Sequence, residues 1–461
     1  MVSGRVSEAA TAMQGRLISG TAEARWAGAA LDSRAVSGGE LFFALEGDRT
    51  DGHRFVLQAL ERGACAAVVS QRVEAPVGDG LIEVDDTFSA LHRLTRDVRS
   101  RVPEHLVAVT GSVGKTTTKE ILATLLGQRF QVARNPGSLN NLYGFPIALL
   151  GIPDDTQWMV AEMGMSTPGE LGQVSMLGRP DVAVFTNVRP AHLEAFGSLR
   201  AIAEAKAELL QGLRPDGLVV ANRDDSEVVR LVDRHGGDVV WFAMESESDY
   251  TVADVHQLPA GQGAEFRLIA GNTEQGIELP LHGLYNVENF LAAAACAHRL
   301  GVSLSEIGEA ASHIEGQPMR GQLHRLATDR VLIDDCYNSN PTALVEALRS
   351  ARELVGQRYW AVLGDMLELG ETAPDLHRQA GREAAEMGFS PIIGVGELAR
   401  ELVVAASAAG AETQWYESAG AAAEHLAGQM RSGDVVLIKG SRGVGLEAVV
   451  ESILALSEGV A

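Results

Sequence analysis

The sequence predicts an α/β protein of three domains: a central P-loop domain with a mostly parallel sheet, flanked by a small N-terminal α/β domain and a C-terminal Rossmann-like domain. Three observations carry this reading. A length of 461 residues corresponds to about three domains of ~150 residues each. Short apolar runs alternate with helical stretches in two separate tracts, the pattern of parallel sheets covered by helices. One of these runs, Leu106 to Thr110, leads directly into a glycine-rich turn and an amphipathic helix.

The first region, residues 1–102, holds the strand-like runs LFFAL, CAAVVS and LIEV around a helix near Phe55 to Arg62. The polar helical stretch LHRLTRDVRSR and Pro103 read as a connector. The second, residues 103–316, carries LVAVT, WMVAEMG, VAVFTNV, LVVAN and VVWFAM, then hairpin-like residues 250–282 and a closing helix from Asn286 to Leu300. The third, residues 317–461, repeats strand then helix through VLIDDCY, YWAVLGDM, PIIGVG and DVVLIKG, a second doubly wound sheet with its own core.

Composition narrows the function. With 46% hydrophobic and 21% charged residues, the chain fits a soluble globular protein. A formal net charge of −23 argues against a nucleic-acid partner, because phosphate backbones require a basic surface. The start lacks the basic segment and apolar run of a secretory signal. The apolar helix LAAAACAHRL is too short for a membrane span and is broken by His298 and Arg299. Cys65, Cys296 and Cys336 are widely separated, without the paired spacing of zinc or redox sites, so a reduced cytoplasmic setting is expected. A monomer is the default.

The turn after Thr110 is GSVGKTTT, comprising Gly111, Ser112, Val113, Gly114, Lys115, Thr116, Thr117 and Thr118. A strand, a glycine turn and a helix start aim backbone N–H groups and the helix dipole at an anion. Lys115 is placed to reach the β- and γ-phosphates of a bound nucleotide, and the Thr116 hydroxyl to hold magnesium. The common motif has a glycine five residues before Gly114, where this chain has Val109. That departure points away from ordinary GTPases and kinases and towards an ATP-using ligase superfamily.

Glu162 ends an apolar strand, where a bare carboxylate is costly. His192 follows the next strand. Both fall at the carboxyl edge of the sheet beside the phosphate loop, where such folds bind ligands, and both are candidate metal ligands. Singly, Glu162 could be a paired core acid and His192 a loop residue. Lys206 lies on the apolar face made by Ile202, Leu209, Leu210 and Leu213, with no acid three or four residues away. A snorkelling lysine is one reading. The other is a chemically used lysine: burial favours the neutral amine, which can take up carbon dioxide as a carbamate that holds a second magnesium ion.

These segments together resemble the Mur ligases. GSVGKTTT, AEMG, TNVRPAHLEAFGS and EAKAEL resemble the family's central domain, and LYNVENFLAAAACA its adenine-side helix. The resemblance implies Asn286 and Asn289 near the nucleotide, with Arg320, Asp335, Tyr337, Asn338 and Asn340 of MRG and DDCYNSNP closing over ATP. LDSRAVSGGELFFALEGDRTDGHRF resembles the UDP-sugar-peptide module and implies Ser33, Arg34, Asp48, Asp51 and His53 as substrate residues. Asn140 and Asn141 join that set. LGDMLELG and IKGSRGVGLE complete a match over nearly the whole chain. Arg189-Pro190 and Cys336 depart from the pattern, which more usually has small residues there.

Within the family, DDCYNSNP and GDMLELG resemble the dipeptide-adding branch. That implies joining D-alanyl-D-alanine to UDP-N-acetylmuramoyl-tripeptide in cytoplasmic peptidoglycan precursor synthesis, with ATP converted to ADP and phosphate through an acyl phosphate. The alternatives are the branch adding the third residue of the peptide, folylpolyglutamate synthase, and, more distantly, a P-loop ATPase switch protein. The UDP-sugar module argues against the folate enzyme. Lys206 and DDCYNSNP have no role in a switch.

Overall fold

Residues 105–279 build a nine-stranded sheet whose order explains the apolar runs. Five strands, Asp238–Phe242, Leu218–Asn222, Val182–Phe185, His105–Thr110 and Trp158–Glu162, lie side by side and parallel, with Val132–Arg134 at one edge. Helices cover both faces. Leu106 and Ala108 therefore enter one apolar core while Val107 and Val109 enter the other, so no polar alternation is visible in sequence. Tyr250–Gln257 pairs parallel with Asp238–Phe242, and Ala264–Ala270 and Thr273–Leu279 extend that edge as antiparallel hairpins. The computed structural model describes residues 1–47, 50–74, 78, 80–191, 193–327, 329–426 and 428–458.

The first region forms a five-stranded sheet in the order Arg16–Ser19, Leu81–Glu83, Ala66–Val69, Leu41–Phe43, Ala29–Ala30. A two-stranded ribbon, Ser3–Arg5 with Arg25–Ala27, accompanies it. This region shares a continuous core with the central one: Trp26, Leu41 and Val68 belong to the same cluster as Leu106 and Phe185. The stretch read as a connector is a packed helix, Thr87–Arg99, capped by Asp86, whose carboxylate accepts from the Ser89 N–H at 2.7 Å. Its Ala90, Leu91, Leu94 and Val98 are buried in that core. Arg99 fastens it to the central region, donating to the carbonyls of Gly178, Pro103 and Arg179 and to Asp181.

The third region is a six-stranded sheet ordered Gln322–Leu326, Arg330–Asp335, Asp434–Lys439, Arg358–Gly364, Ile392–Val395, Thr413–Tyr416. All neighbours are parallel except the first pair. Apolar clusters lie on both faces, as a doubly wound sheet requires. The helix carrying Lys206 is shorter than its apolar spacing predicts. It runs Leu199–Ala207 and tightens into a 3₁₀ turn, Glu208–Gln211. Among the described residues, no helix is long and apolar enough to cross a membrane.

Candidate active site

The phosphate loop leaves its strand at Thr110 and enters the helix Lys115–Leu126 at Gly114. Gly114 has φ 82°, and a Cβ there would strike the amide oxygen of Asn289, so glycine is required for both reasons. Asn187, on the loop that follows the neighbouring strand Val182–Phe185, holds the phosphate loop, accepting from the Val113 N–H at 3.0 Å. The Ser112 hydroxyl donates to the Arg189 carbonyl at 2.8 Å, and the Arg189 guanidinium pairs with Asp225 at 2.6 Å. Arg189, which departs from the family pattern, thus braces the loop. Lys115 folds back to donate to the carbonyls of Gly111 and Ser112. Burial, with Arg320 nearby, lowers its pKa against the pull of Glu162.

Glu162 ends its strand 3% exposed. Its carboxylate accepts from Thr116 Oγ1 at 2.5 Å and Asn140 Nδ2 at 2.7 Å. Its backbone is fixed on both sides by the amide of Asn135. Lys206, 4% exposed, lines the same cavity. Burial first, then the charge of Lys115, drives its pKa well below the ordinary lysine value.

The cavity, of about 290 Å³, is walled by the phosphate loop, Glu162, Asn140, Asn141 and Lys206 on the central side. On the third-domain side stand Arg320, Asp335, Tyr337, Asn338, Asn340 and Lys439. Asp335 pairs with Lys439 at 2.7 Å, and burial nonetheless raises its pKa. The Arg320 guanidinium stacks 4.0 Å from the Tyr337 ring centroid. Asn340 caps the helix Pro341–Glu353 through the Ala343 N–H. A second cavity of about 170 Å³ adjoins, sharing Ser112 and Lys115 and bounded by Ala191, Glu368, Ser441 and Arg442.

Other expected site residues lie elsewhere. Asn286 is buried, donates to the His282 carbonyl at 2.8 Å and is absent from the cavity wall, whereas Asn289 is in it. Asn141 chiefly caps its own turn, accepting from the Tyr143 and Gly144 N–H groups. In the first region, Ser33 donates to Gln58 at 2.6 Å and Arg34 pairs with Asp32. Asp51 accepts from His53 Nδ1 at 2.7 Å, while His53 Nε2 accepts from the Ser70 N–H at 3.0 Å. None of these four lines either cavity. Asp48 and His192 lie outside the described residues. Cys336 is a buried thiol that donates to Asp334, a packing role.

Sequence reasoning passed over Asn187, Glu288, Glu346 and Lys439. Lys439 had a usable signal, since it ends the apolar run DVVLIK just as Glu162 ends WMVAE. The other three are polar residues on a loop or helices, where exposure is the ordinary expectation.

A phosphate loop at the carboxyl edge of a parallel sheet, roofed by a separate Rossmann-like sheet that contributes charged residues, defines a P-loop protein with a shared interdomain cavity. The family models for the Mur ligase family catalytic domain, middle domain and glutamate ligase domain match residues 27–99, 109–297 and 319–442. The chain belongs to the Mur ligase family. It is 32% identical to the UDP-N-acetylmuramoyl-tripeptide--D-alanyl-D-alanine ligase of Bacillus subtilis over 93% of each chain. Against the enzyme of the same name from Escherichia coli, identity is 33% over 92% of each. Among solved structures, MurF from Acinetobacter baumannii superposes with a TM-score of 0.88 at 29% identity, covering 99% of both chains. MurF ligase from Thermotoga maritima in complex with ADP gives 0.80 at 28%, covering 94% of this chain and 99% of that one.

Proposed function

We propose that this chain joins D-alanyl-D-alanine to UDP-N-acetylmuramoyl-tripeptide in the cytoplasm, converting ATP to ADP and phosphate. The observation that carries the reading is one cavity in which the phosphate loop, a buried carboxylate and a buried lysine meet third-domain residues. Full-length similarity to enzymes of that name supports the substrate assignment. We divide the chain into a UDP-sugar-peptide module at 1–102, an ATP domain at 103–316, and a domain at 317–461 that takes the dipeptide and closes over the nucleotide.

A carboxylate is a poor acylating agent at neutral pH. Its attack on the γ-phosphate makes an acyl phosphate with a good leaving group; the dipeptide amine then attacks that carbonyl and phosphate departs. The loop N–H groups hold the phosphates, and Lys115, released from the Gly111 and Ser112 carbonyls, neutralises charge on the group in flight. Asn289 and the third-domain set Arg320, Asp335, Tyr337 and Asn340 hold the nucleotide from the other side. The second cavity suits the dipeptide, with Arg442 supplying a cation for its carboxylate.

The residues present fit magnesium. Glu162 is hydrogen-bonded by the neutral Thr116 and Asn140 and makes no salt bridge among the described residues, which leaves a hard oxygen ligand beside the Thr116 hydroxyl. Those residues hold no cluster of three or more His, Cys, Asp or Glu suited to a metal. Phosphate oxygens and water would complete the shell, as magnesium prefers. The ion would supply charge stabilisation at the phosphoryl group. Lys206 has neither hydrogen bond nor ion pair among the described residues, and burial favours its neutral form. It fits carbamylation, with the carbamate and His192 as ligands of a second ion.

Phosphate release measured with each substrate omitted in turn tests the function. Release that depends on both the UDP-sugar-tripeptide and the dipeptide is expected. Release with ATP alone at the same rate would favour a switch ATPase, and release with a single amino acid in place of the dipeptide would favour another branch.

A further inference from the structure

The cavity has two ends. Glu162, Lys206 and Asn140 gather on one side of the phosphate loop; Tyr285 and Glu288 of the helix Leu284–Arg299 and Glu346 of the helix Pro341–Glu353 gather on the other. In the reaction proposed above the peptide carboxylate reaches the γ-phosphate from the first side, beside Glu162 and Lys206, so the nucleoside occupies the second. Ala343 and Ala347, one turn apart on the helix that carries Glu346, also line the cavity and leave room there.

In the same cavity the Glu288 carboxyl is oriented by a hydrogen bond from Asn222. Asn222, fully buried at the end of its strand, accepts from the Asp224 N–H at 2.9 Å through Oδ1. Its amide nitrogen is therefore the atom facing inward, donating to the Thr186 carbonyl at 2.9 Å and to Glu288 Oε1 at 2.5 Å. Oε1 is thus committed as an acceptor, and any proton on the carboxyl must sit on Oε2. Oε2 has no hydrogen-bond partner among the described residues.

We propose that Glu288 is the specificity-determining residue for the nucleotide base, selecting adenine over 6-oxopurines. The inference rests on the nucleotide reading above and deepens it. A carboxyl with Oε1 accepting and Oε2–H donating matches adenine, which offers an N6–H donor beside the N1 acceptor. A 6-oxopurine reverses both groups: its O6 would face Oε1, and its N1–H would face Oε2–H. A site built around such a pair rejects the reversed partner because buried polar groups are left unpaired.

The surroundings support a protonated carboxyl. Burial raises the Glu288 pKa to about 7 against the hydrogen bond from Asn222. The charges of Glu346 and Asp224 contribute to that rise, while Arg189, itself paired with Asp225, opposes it. The Glu346 carboxyl is raised by burial too, opposed by Arg189, Lys439 and Arg349. Below about pH 7 the Oε2 proton is present and adenine is favoured. As pH rises through that value the donor is lost, and the preference falls.

The test is calorimetric titration of ATP and inosine triphosphate into the wild-type enzyme, Glu288→Gln and Glu288→Ala, on both sides of neutrality. The wild type should prefer ATP by roughly ten- to hundred-fold, less at the alkaline pH. Glutamine carries a fixed acceptor and a fixed donor, so Glu288→Gln should keep the preference and lose its pH dependence. Glu288→Ala should bind both nucleotides within about three-fold of each other, and thermal melting checks that it folds. An unchanged ratio in Glu288→Ala, or equal binding of both nucleotides by the wild type, overturns this inference alone. Failure of the wild type to bind either nucleotide overturns the nucleotide reading and this inference with it.

Discussion

Lys115 and Lys206 line one cavity, and each suffers from the position it occupies. Burial lowers both, and the charge of Lys115 lowers Lys206 further. A fold that gathers two desolvated cations gains nothing in stability from them, so their value lies in chemistry. Lys115→Ala is therefore expected to melt at or above the wild-type temperature while losing roughly a hundred-fold or more in turnover, the scale of a removed transition-state charge partner. Near-normal turnover would sink the phosphate-loop assignment. Lys206→Ala separates carbamate from packing. Activity should collapse and return in part when short carboxylic acids enter the vacated space, because a carboxylate replaces the two carbamate oxygens. Full activity without supplement refutes the modification; loss without any rescue leaves packing as the better account.

Single elements show which parts of the fold could be read in advance. The strands His105–Thr110, Trp158–Glu162 and Val182–Phe185 are covered on both faces, and burial forces them to be continuous apolar runs. The strands Gln322–Leu326 and Thr413–Tyr416 sit at sheet edges, half-exposed and mixed in polarity, and their sequences QLHRL and TQWY carry no period that marks them. The same logic divides the site. Glu162 and Lys206 stood out because charge on an apolar element demands a reason, whereas Asn187 and Glu288 looked like ordinary surface residues. The stretch LHRLTRDVRSR reads as a connector because its charged residues outnumber its apolar ones, although Arg99 is 5% exposed and donates four hydrogen bonds. Arg99→Met should cost about 3 kcal/mol in denaturant unfolding, since three carbonyls and part of Asp181 lose their donor. A loss below about 1 kcal/mol would mean that water replaces the guanidinium, and that the helix is a loose connector after all.

At the level of the whole molecule, the third domain meets the central one through few polar contacts. The Glu194 N–H donates to the Glu368 carbonyl at 3.1 Å, His282 Nε2 donates to the Ser350 carbonyl at 2.8 Å, and Arg325 donates to the Ala260 carbonyl. The two sheets keep separate cores, so the arrangement that brings Arg320 and Asn340 to the phosphate loop depends on what lies between them. Small-angle scattering should show a more extended enzyme alone than with a non-hydrolysable nucleotide and both substrates; superimposable curves would contradict domain closure. The central claim, that this cavity activates a peptide carboxylate as an acyl phosphate for a dipeptide amine, is tested most directly by isotope transfer. UDP-N-acetylmuramoyl-tripeptide labelled with ¹⁸O in its terminal carboxylate is turned over with ATP and D-alanyl-D-alanine, and the released phosphate is weighed by mass spectrometry. The account predicts one labelled oxygen in each phosphate released; unlabelled phosphate would mean that water, not the carboxylate, attacks the nucleotide, and would contradict it.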